Sequence, residues 1–321
     1  MRKYFYLLTA TYFLISLLKR LGKKDKKRAS TDKPTPKRTD HIWKEYDLTT
    51  KEEFRDAFVA EDMEEEWTYF EKLLRSEIRI TPSKIEEVYL KIGESKIGGS
   101  PDLPDNVKWP TCDDKYLLFL AQINLEEIAN LQSANELPKK GLLYFFYKDD
   151  LSINGDSLEH QKGFKVMYIK DSTHLRRRQN PTKAELKTHI DFPSCKLKFI
   201  EAWSLPDSSW PGVREQLSGD DFSRLSDFRS PPKSRTKLLG YANEIQGAME
   251  GSLEWLLGIK SNKWAENCLE GAKNWRLLFQ LDSESEAMMM FGDTGRLYFW
   301  IKEFDLKSGN LEEAWMMLQY Y

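Results

Sequence analysis

The sequence predicts an α+β fold: antiparallel sheets drawn from two duplicated β-rich halves, with helices on their flanks. Three observations carry this expectation. A set of motifs occurs twice in the same order, at about 96–150 and 237–305. Each copy ends in an almost wholly apolar aromatic run, Leu142–Tyr147 and Leu297–Ile301, which reads as a strand at the centre of a sheet, buried on both faces. Apolar residues at mixed three- and four-residue steps ahead of the first copy read as flanking helix.

The chain of 321 residues is 40% hydrophobic and 31% charged, enough apolar material for a sizeable core. Ten Trp and seventeen Phe point to aromatic packing in the core and in any groove. Net charge is −2, but residues 1–40 hold twelve Lys/Arg and three Asp, +9, which leaves −11 for the other 281. An acidic body lacks the basic face that phosphate backbones need, so no nucleic acid is expected on it. Cys112, Cys195 and Cys268 are odd in number and far apart, and read as three reduced thiols.

The first 21 residues read as a membrane-associating segment. Tyr4–Leu18 carries no charge; as a helix it reaches about 22 Å against a hydrocarbon core of about 30 Å. Flanking Lys19 and Arg20 can snorkel to close the gap. A cleaved secretory signal is the competing reading, but no small-x-small cleavage site follows. The cluster Lys19, Arg20, Lys23, Lys24, Lys26, Lys27 and Arg28 favours a cytoplasmic body. The membrane is thus the first expected partner, through residues 1–28, with a soluble cytoplasmic or a secreted chain as alternatives. Residues 22–48 read as a basic linker.

Thr49 to Glu52 reads as a capping box, and the apolar spacing from Phe54 to Leu74 predicts one or two amphipathic helices over 49–76. The acidic run 61–66 reads as a solvated face. Ile78 and Ile80 alternate with polar residues in a short strand that Pro82 is expected to end. The first copy then runs from Lys96-Ile97-Gly98-Gly99 through Leu117–Gln122 to Gly141 and its aromatic strand. The second runs from Lys237-Leu238-Leu239-Gly240-Tyr241 through Leu277–Asp282 to Gly295 and its strand. Gly141 and Gly295 are placed where a turn asks for positive φ. Between the copies, Phe164–Lys170 and Lys196–Trp203 read as strands, and Thr182–Lys187 and Asp220–Asp227 as short helices or loops. Leu311–Gln319 reads as a strand or short helix.

The stretch Ser95 to Pro104 with Val107-Lys108-Trp109-Pro110, then Phe119–Leu125, Leu137-Pro138 and Gly141–Phe146, resembles the opening of the YwqG-like (DUF1963) family. Leu239-Gly240-Tyr241 to Ile245-Gln246, Trp275 to Asp282, and Phe291 to Phe299 are similar to its later motifs. The resemblance covers about 77–321 and implies an α+β fold with antiparallel sheets; it implies no activity. Members often carry a His just before Leu-Gly-Tyr, where this chain has Thr236-Lys237.

No Gly-x-Ser-x-Gly elbow and no Gly-x-x-x-x-Gly-Lys loop occurs, and His160, His174 and His189 are too widely spaced to define a metal site. No metal and no cofactor is expected. Asp293-Thr294-Gly295 is one half of an aspartic-protease pair without its second half, and reads as a hairpin turn. Arg176-Arg177-Arg178 reads as a solvated basic loop. The candidate ligand-binding residues are Trp109, Gln122, Tyr241, Gln246, Gln280 and Asp293: polar or aromatic side chains set inside apolar motifs. They point to a non-catalytic module that binds a protein or a ligand in a groove between the halves. The alternative is a hydrolase or transferase in which Asp293, Gln122, Gln280 and Asp102 line one cleft.

Overall fold

Two ten-residue strands alternate polar and apolar residues, so each offers one face to a core: β1, Arg75–Lys84, and β10, Cys195–Ser204. They pair antiparallel along their whole length, from Arg75 opposite Ser204 to Lys84 opposite Cys195. The computed structural model describes residues 46–321 apart from 183–184, 186–190, 211, 230–233, 259–267 and 269. The expected apolar segment and most of the basic linker lie outside the described residues, as do His189 and most of Thr182–Lys187. The described residues belong to one unit, Trp43–Tyr321.

The β1–β10 pair is the middle of a ten-stranded, wholly antiparallel sheet. On the β10 side follow β2 (Lys96–Ile97), β6 (Leu118–Asn124), β7 (Leu142–Tyr147) and β8 (Phe164–Ile169). On the β1 side follow β11 (Lys237–Leu239), β12 (Trp275–Asp282), β13 (Arg296–Lys302) and β14 (Trp315–Gln319). The expected α+β class with antiparallel pairing is present. The aromatic strands β7 and β13, however, are not central: each is one in from an edge.

They are buried nonetheless, because the sheet curls nearly into a barrel. Phe145 of β7 lies 4.3 Å from Phe279 of β12 and 4.7 Å from Phe299 of β13, ring centre to ring centre. The edge strands face each other through Phe164 and Trp315, 5.2 Å apart. A loop seals the seam: Asn154 O accepts from Leu318 N and Gly155 O from Trp315 Nε1, both at 2.9 Å. Alternate residues of β7 serve two cores. Leu143, Phe145 and Tyr147 face the interior of the curl, while Leu142, Tyr144 and Phe146 face an outer layer. That layer is built from two small two-stranded sheets, β3 (Asp102–Pro104) with β9 (Leu175–Arg177) and β4 (Thr111–Cys112) with β5 (Lys115–Tyr116).

Helices α1 (Lys51–Ala60) and α2 (Glu64–Phe70) bury Phe54, Phe58, Trp67 and Phe70 against Leu205, Val213 and α4 (Asp221–Phe228). The short α3 (Leu125–Ile128), α5 (Glu250–Leu253) and α6 (Glu303–Ser308) complete the helices used below. The capping box lies one residue further on than expected: Thr50 Oγ1 accepts from Glu53 N, and the Glu53 carboxylate accepts from Thr50 N. Both Thr49 and Thr50 have a Glu three residues ahead, so spacing alone does not choose between them. Asp221–Phe228 is helical, and Leu311–Gln319 is a single turn followed by β14.

Pro82 does not end its strand. Ile80 N donates to Thr236 O on the β11 side, and Pro82, two residues on, faces the same way just past the end of β11. No donor is needed there, so proline costs nothing. Gly141 has the expected positive φ of 96°. Gly295 is not among the residues of positive φ; Thr294, at 46°, makes that turn. Gly295 is required by close approach, since a Cβ there would lie 2.2 Å from Phe291 O and 2.5 Å from Gln319 O.

Gly155 carries both demands, with φ 86° and Met316 O 1.9 Å from a notional Cβ. Gly155→Ala should therefore destabilise the protein by more than the about 1–2 kcal/mol of a left-handed L-residue, because backbone cannot step aside. Urea unfolding measures this. A loss below about 0.5 kcal/mol would mean that the seam is not closed as described.

Candidate functional site

β2 and β11 are two and three residues long, yet each sits between full-length strands. Each places a lysine opposite a glutamine: Lys96 opposite Gln122 of β6, and Lys237 opposite Gln280 of β12. Gln122 is fully buried and lies inside β6 rather than after it. Its Oε1 accepts from Asp102 N, and its Nε2 donates to Glu94 O and Asp102 Oδ2, all at 2.8 Å. Gln280, equally buried, accepts from Asn243 N at 2.9 Å and donates to Arg235 O at 2.7 Å and Asn243 Oδ1 at 3.2 Å. Tyr144, opposite Gln122, donates to Asp102 O; Tyr298, opposite Gln280, donates to Asn243 O. Ser95 Oγ accepts from Asn124 N, and Thr236 Oγ1 from Asp282 N.

The backbone around the two crossings matches as well. Gly98 and Gly99 have φ of 68° and 65°, and Leu239 and Gly240 have 61° and 72°. A bulge interrupts β6 at Phe119/Ala121 and β12 at Leu277/Phe279. Glutamine suits both places because one carboxamide offers an acceptor and two donors to a backbone turning away from its sheet.

The charges differ. Lys96 Nζ lies 3.1 Å from Glu87 and 3.4 Å from Asp102, whose other oxygen accepts from Arg177 Nε at 2.9 Å. Burial pushes the Asp102 carboxyl up, but Arg177, Lys96, Gly93 N–H and Gln122 outweigh it and hold it below the usual carboxylate range. Lys237 meets Glu77 at 2.8 Å, and Glu77 also holds Arg79 at 2.8 Å. Glu77 is likewise lowered, against the effect of burial, by those two cations. A carboxylate with this many donors has no proton to exchange near neutral pH, and a bonded amide is no nucleophile. The crossings hold backbone in place.

Of the other candidates, Trp109 is half-buried, donates to Leu117 O at 2.7 Å and packs on Phe146. Tyr241 is buried, with its hydroxyl on Leu73 O at 2.9 Å. Gln246 is exposed and reaches Tyr320 O at 2.6 Å. Asp293 is exposed in the expected turn, where its carbonyl accepts from Tyr321 N. Gln122 and Asp102 do meet. Gln280 meets Asn243 instead, and Asp293 bonds within its own turn. The six residues do not line one cleft in common: Trp109 borders one and Tyr241 another. Two clefts, one beside Gly99 and Trp109 and one beside Glu77 and Tyr241, each hold about 10 Å3, room for a single water. Among the described residues no group of three or more His, Cys, Asp or Glu side chains could hold a metal. All three cysteines are buried and unbridged.

The expected basic loop at 176–178 is a strand end. Arg177 turns inward and donates to Glu87 O at 2.6 Å, Leu90 O at 3.1 Å and Lys91 O at 3.3 Å, besides Asp102. Arg178 reaches Val107 O at 3.3 Å, and only Arg176 is exposed. Three arginines in a row gave no sign of this, because the buried acceptors lie about 75–90 residues away in sequence. Lys96, Asn243, Tyr144 and Tyr298 are further members of the crossings that the sequence did not single out. A lysine inside an apolar strand was the available signal.

The curled antiparallel sheet with its two glutamine crossings defines an α+β protein of mostly β character. Its sequence matches the family described as Domain of unknown function (DUF1963) over residues 95–319, and the chain belongs to that family. No curated protein matches the chain in sequence.

Gln122→Leu should cost about 2–4 kcal/mol, since it strips partners from Asp102 N–H and Glu94 C=O at once. A loss under about 1 kcal/mol in urea would show the crossing to be dispensable. Glu284, which accepts from the Ser234 and Thr236 hydroxyls, is raised from 4.5 to about 6, chiefly by burial. Its folded-state pKa lies above the unfolded one, so the folded state binds the extra proton. This stability is present below pH about 4.5 and is lost as pH rises through about 6. Glu284→Gln should flatten the stability profile between those values by about 2 kcal/mol. An unchanged profile from thermal melts at matched pH would refute it.

Proposed function

We propose that the domain is a non-catalytic binding module, and that its working surface is the loop 85–94 between β1 and β2. The observation behind this reading is the exposure of Val88, Tyr89 and Ile92, at 79%, 71% and 51%, on backbone that the first crossing clamps. Arg177 holds the carbonyls of Glu87, Leu90 and Lys91; Glu87 in turn receives Lys96 and Ser100 N; and Gln122 holds Glu94 O. Three large apolar side chains within five residues, fixed before any partner arrives, lose little entropy on binding. Each gains about 1.5–3 kcal/mol when covered. Other exposed apolar residues, such as Phe304 and Tyr321, stand singly in the sequence. A protein offering an apolar recess fits this surface.

The reading extends to two matters of organisation. The matching bonds of Gln122 and Gln280 and the matching turns at 98–99 and 239–240 support an origin by duplication of a β-rich half. The uncharged run Tyr4–Leu18 and the basic cluster behind it support tethering to a membrane with the body on the cytoplasmic side. Among the described residues no helix is long and apolar enough to cross a membrane.

Cross-linked affinity capture with the full chain should recover a stoichiometric protein partner. The triple variant Val88→Ser, Tyr89→Ser, Ile92→Ser should lose it with its melting temperature unchanged. Equal capture by both chains sinks the surface assignment. Fractionation provides the second test: the full chain should pellet with membranes and a chain lacking 1–40 should not. Equal solubility removes the tether, and a mature protein beginning near residue 20 points to secretion.

A further inference from the structure

Among the described residues, recessed cations such as Lys96, Lys237, Arg79, Arg177, Arg229, Arg276 and Arg296 face a carboxylate. Arg75 differs. It opens β1 on the same face as Glu77 and Arg79, where alternate residues look toward the layer made by α1, α2 and α4. Its guanidinium carbon lies 4.2 Å from the centre of the Tyr241 ring and 4.8 Å from that of Trp210. The two rings meet edge-on at 5.3 Å and 78°. Among the described residues the guanidinium donates to no protein acceptor, and its nitrogens keep contact with solvent.

The cage is built before any ligand binds. Tyr241 is fixed at both ends, its hydroxyl on Leu73 O and its backbone N on Ser204 Oγ. Ser204 Oγ also donates to Arg75 O. The two rings stand on adjacent sides of the guanidinium carbon with their planes 78° apart, and its planar fork of N–H donors, bonded to no protein acceptor among the described residues, keeps a side toward solvent. Glu250 and Glu136 act on the guanidinium through space without bonding it. Arg276 adds a like charge but is itself engaged by Glu303. Glu250, one of the carboxylates within electrostatic reach, is pushed up to about 7 by burial and by Glu244, so near neutral pH it is only partly ionised.

From this geometry we infer that Arg75, Trp210 and Tyr241 form a receptor for a carboxylate group borne by an apolar or aromatic body. One unpaired cation balances one negative charge, which favours a carboxylate over a dianionic phosphate. The fork matches two coplanar oxygens, and the rings cover whatever carries them. This site is separate from the 85–94 loop and does not depend on it.

The test uses the full chain labelled with 15N and follows its ten tryptophan indole signals, with Trp210 assigned from Trp210→Phe. Benzoate, inorganic phosphate and sodium chloride are titrated at matched ionic strength. Benzoate should shift the Trp210 signal to saturation, with phosphate at least about tenfold weaker. Arg75→Gln should abolish the shift while the other indoles stay in place, and Arg75→Lys, which keeps charge without the fork, should weaken it at least about tenfold. If the Gln variant disturbs the other indoles, the Lys variant decides. No saturable shift, an equal shift from chloride, tighter binding of phosphate, or unchanged affinity in the decisive variant would each overturn the inference.

Discussion

The carboxamides of Gln122 and Gln280 sit where the main chain would otherwise leave a gap. β2 and β11 are too short to satisfy the long strands beside them, because the chain must swing out through two successive left-handed residues and away from the sheet. The departing segments, 102 in one case and 243 in the other, pass within reach of the neighbouring strand but do not join the ten-stranded sheet. A glutamine on that strand answers their N–H groups, and a tyrosine one strand further answers their carbonyls. Buried backbone groups without such partners cost about 1–3 kcal/mol each. The bulges in β6 and β12 lie two or three residues before the glutamines, and the added bend there helps the sheet curl.

The family match begins at residue 95, yet the middle of the sheet does not. β1, residues 75–84, precedes the match, and without it β10 and β11 would both present unpaired edges. Its hold on the second half is partly ionic, since Lys237 Nζ reaches Glu77 at 2.8 Å and Arg79 binds the same carboxylate. Helices α1 and α2 then cover the face of β1 and β10 that the curl does not enclose, through Phe54, Phe58, Trp67 and Phe70. Residues ahead of the matched region thus supply both the sheet's central strand and the cover over it.

How much of this was legible depended on the range of the interaction. Strand identity in β7 and β13 follows from unbroken apolar runs, and Gly141 from the turn that precedes one of them, because both are local. The place of those strands in the sheet was not, since it is set by curling, which brings Phe145 onto Phe279 and Phe299 across more than 130 residues. Gly295 looks identical to Gly141 in sequence, but its necessity lies in Phe291 O and Gln319 O. Pro82 read as a strand end because sequence does not disclose that β11 stops short of it. Gln122 and Gln280 stand out in the sequence as polar residues in apolar runs. Their purpose was not readable, because the groups they serve, at 102 and 243, are distant and are backbone.

The buried lysines raise a separate question, since an apolar side chain at either place would avoid the cost of desolvating two charges. Register offers the physical answer. β2 pairs through two residues only, Lys96 and Ile97, and their side chains point to opposite faces. Backbone bonds in so short a strand would be nearly as well made after a slip of one residue. Such a slip would turn Ile97 toward Glu87 and Asp102 and carry Lys96 into the core that holds Ile97 against Leu120 and Ala121. An unpaired charge in that core costs far more than the pair does in its proper place. β11 repeats the arrangement with Lys237 over Glu77 and Leu238 in the core. In both crossings the ion pair makes the wrong register expensive, and the glutamine makes the right one complete.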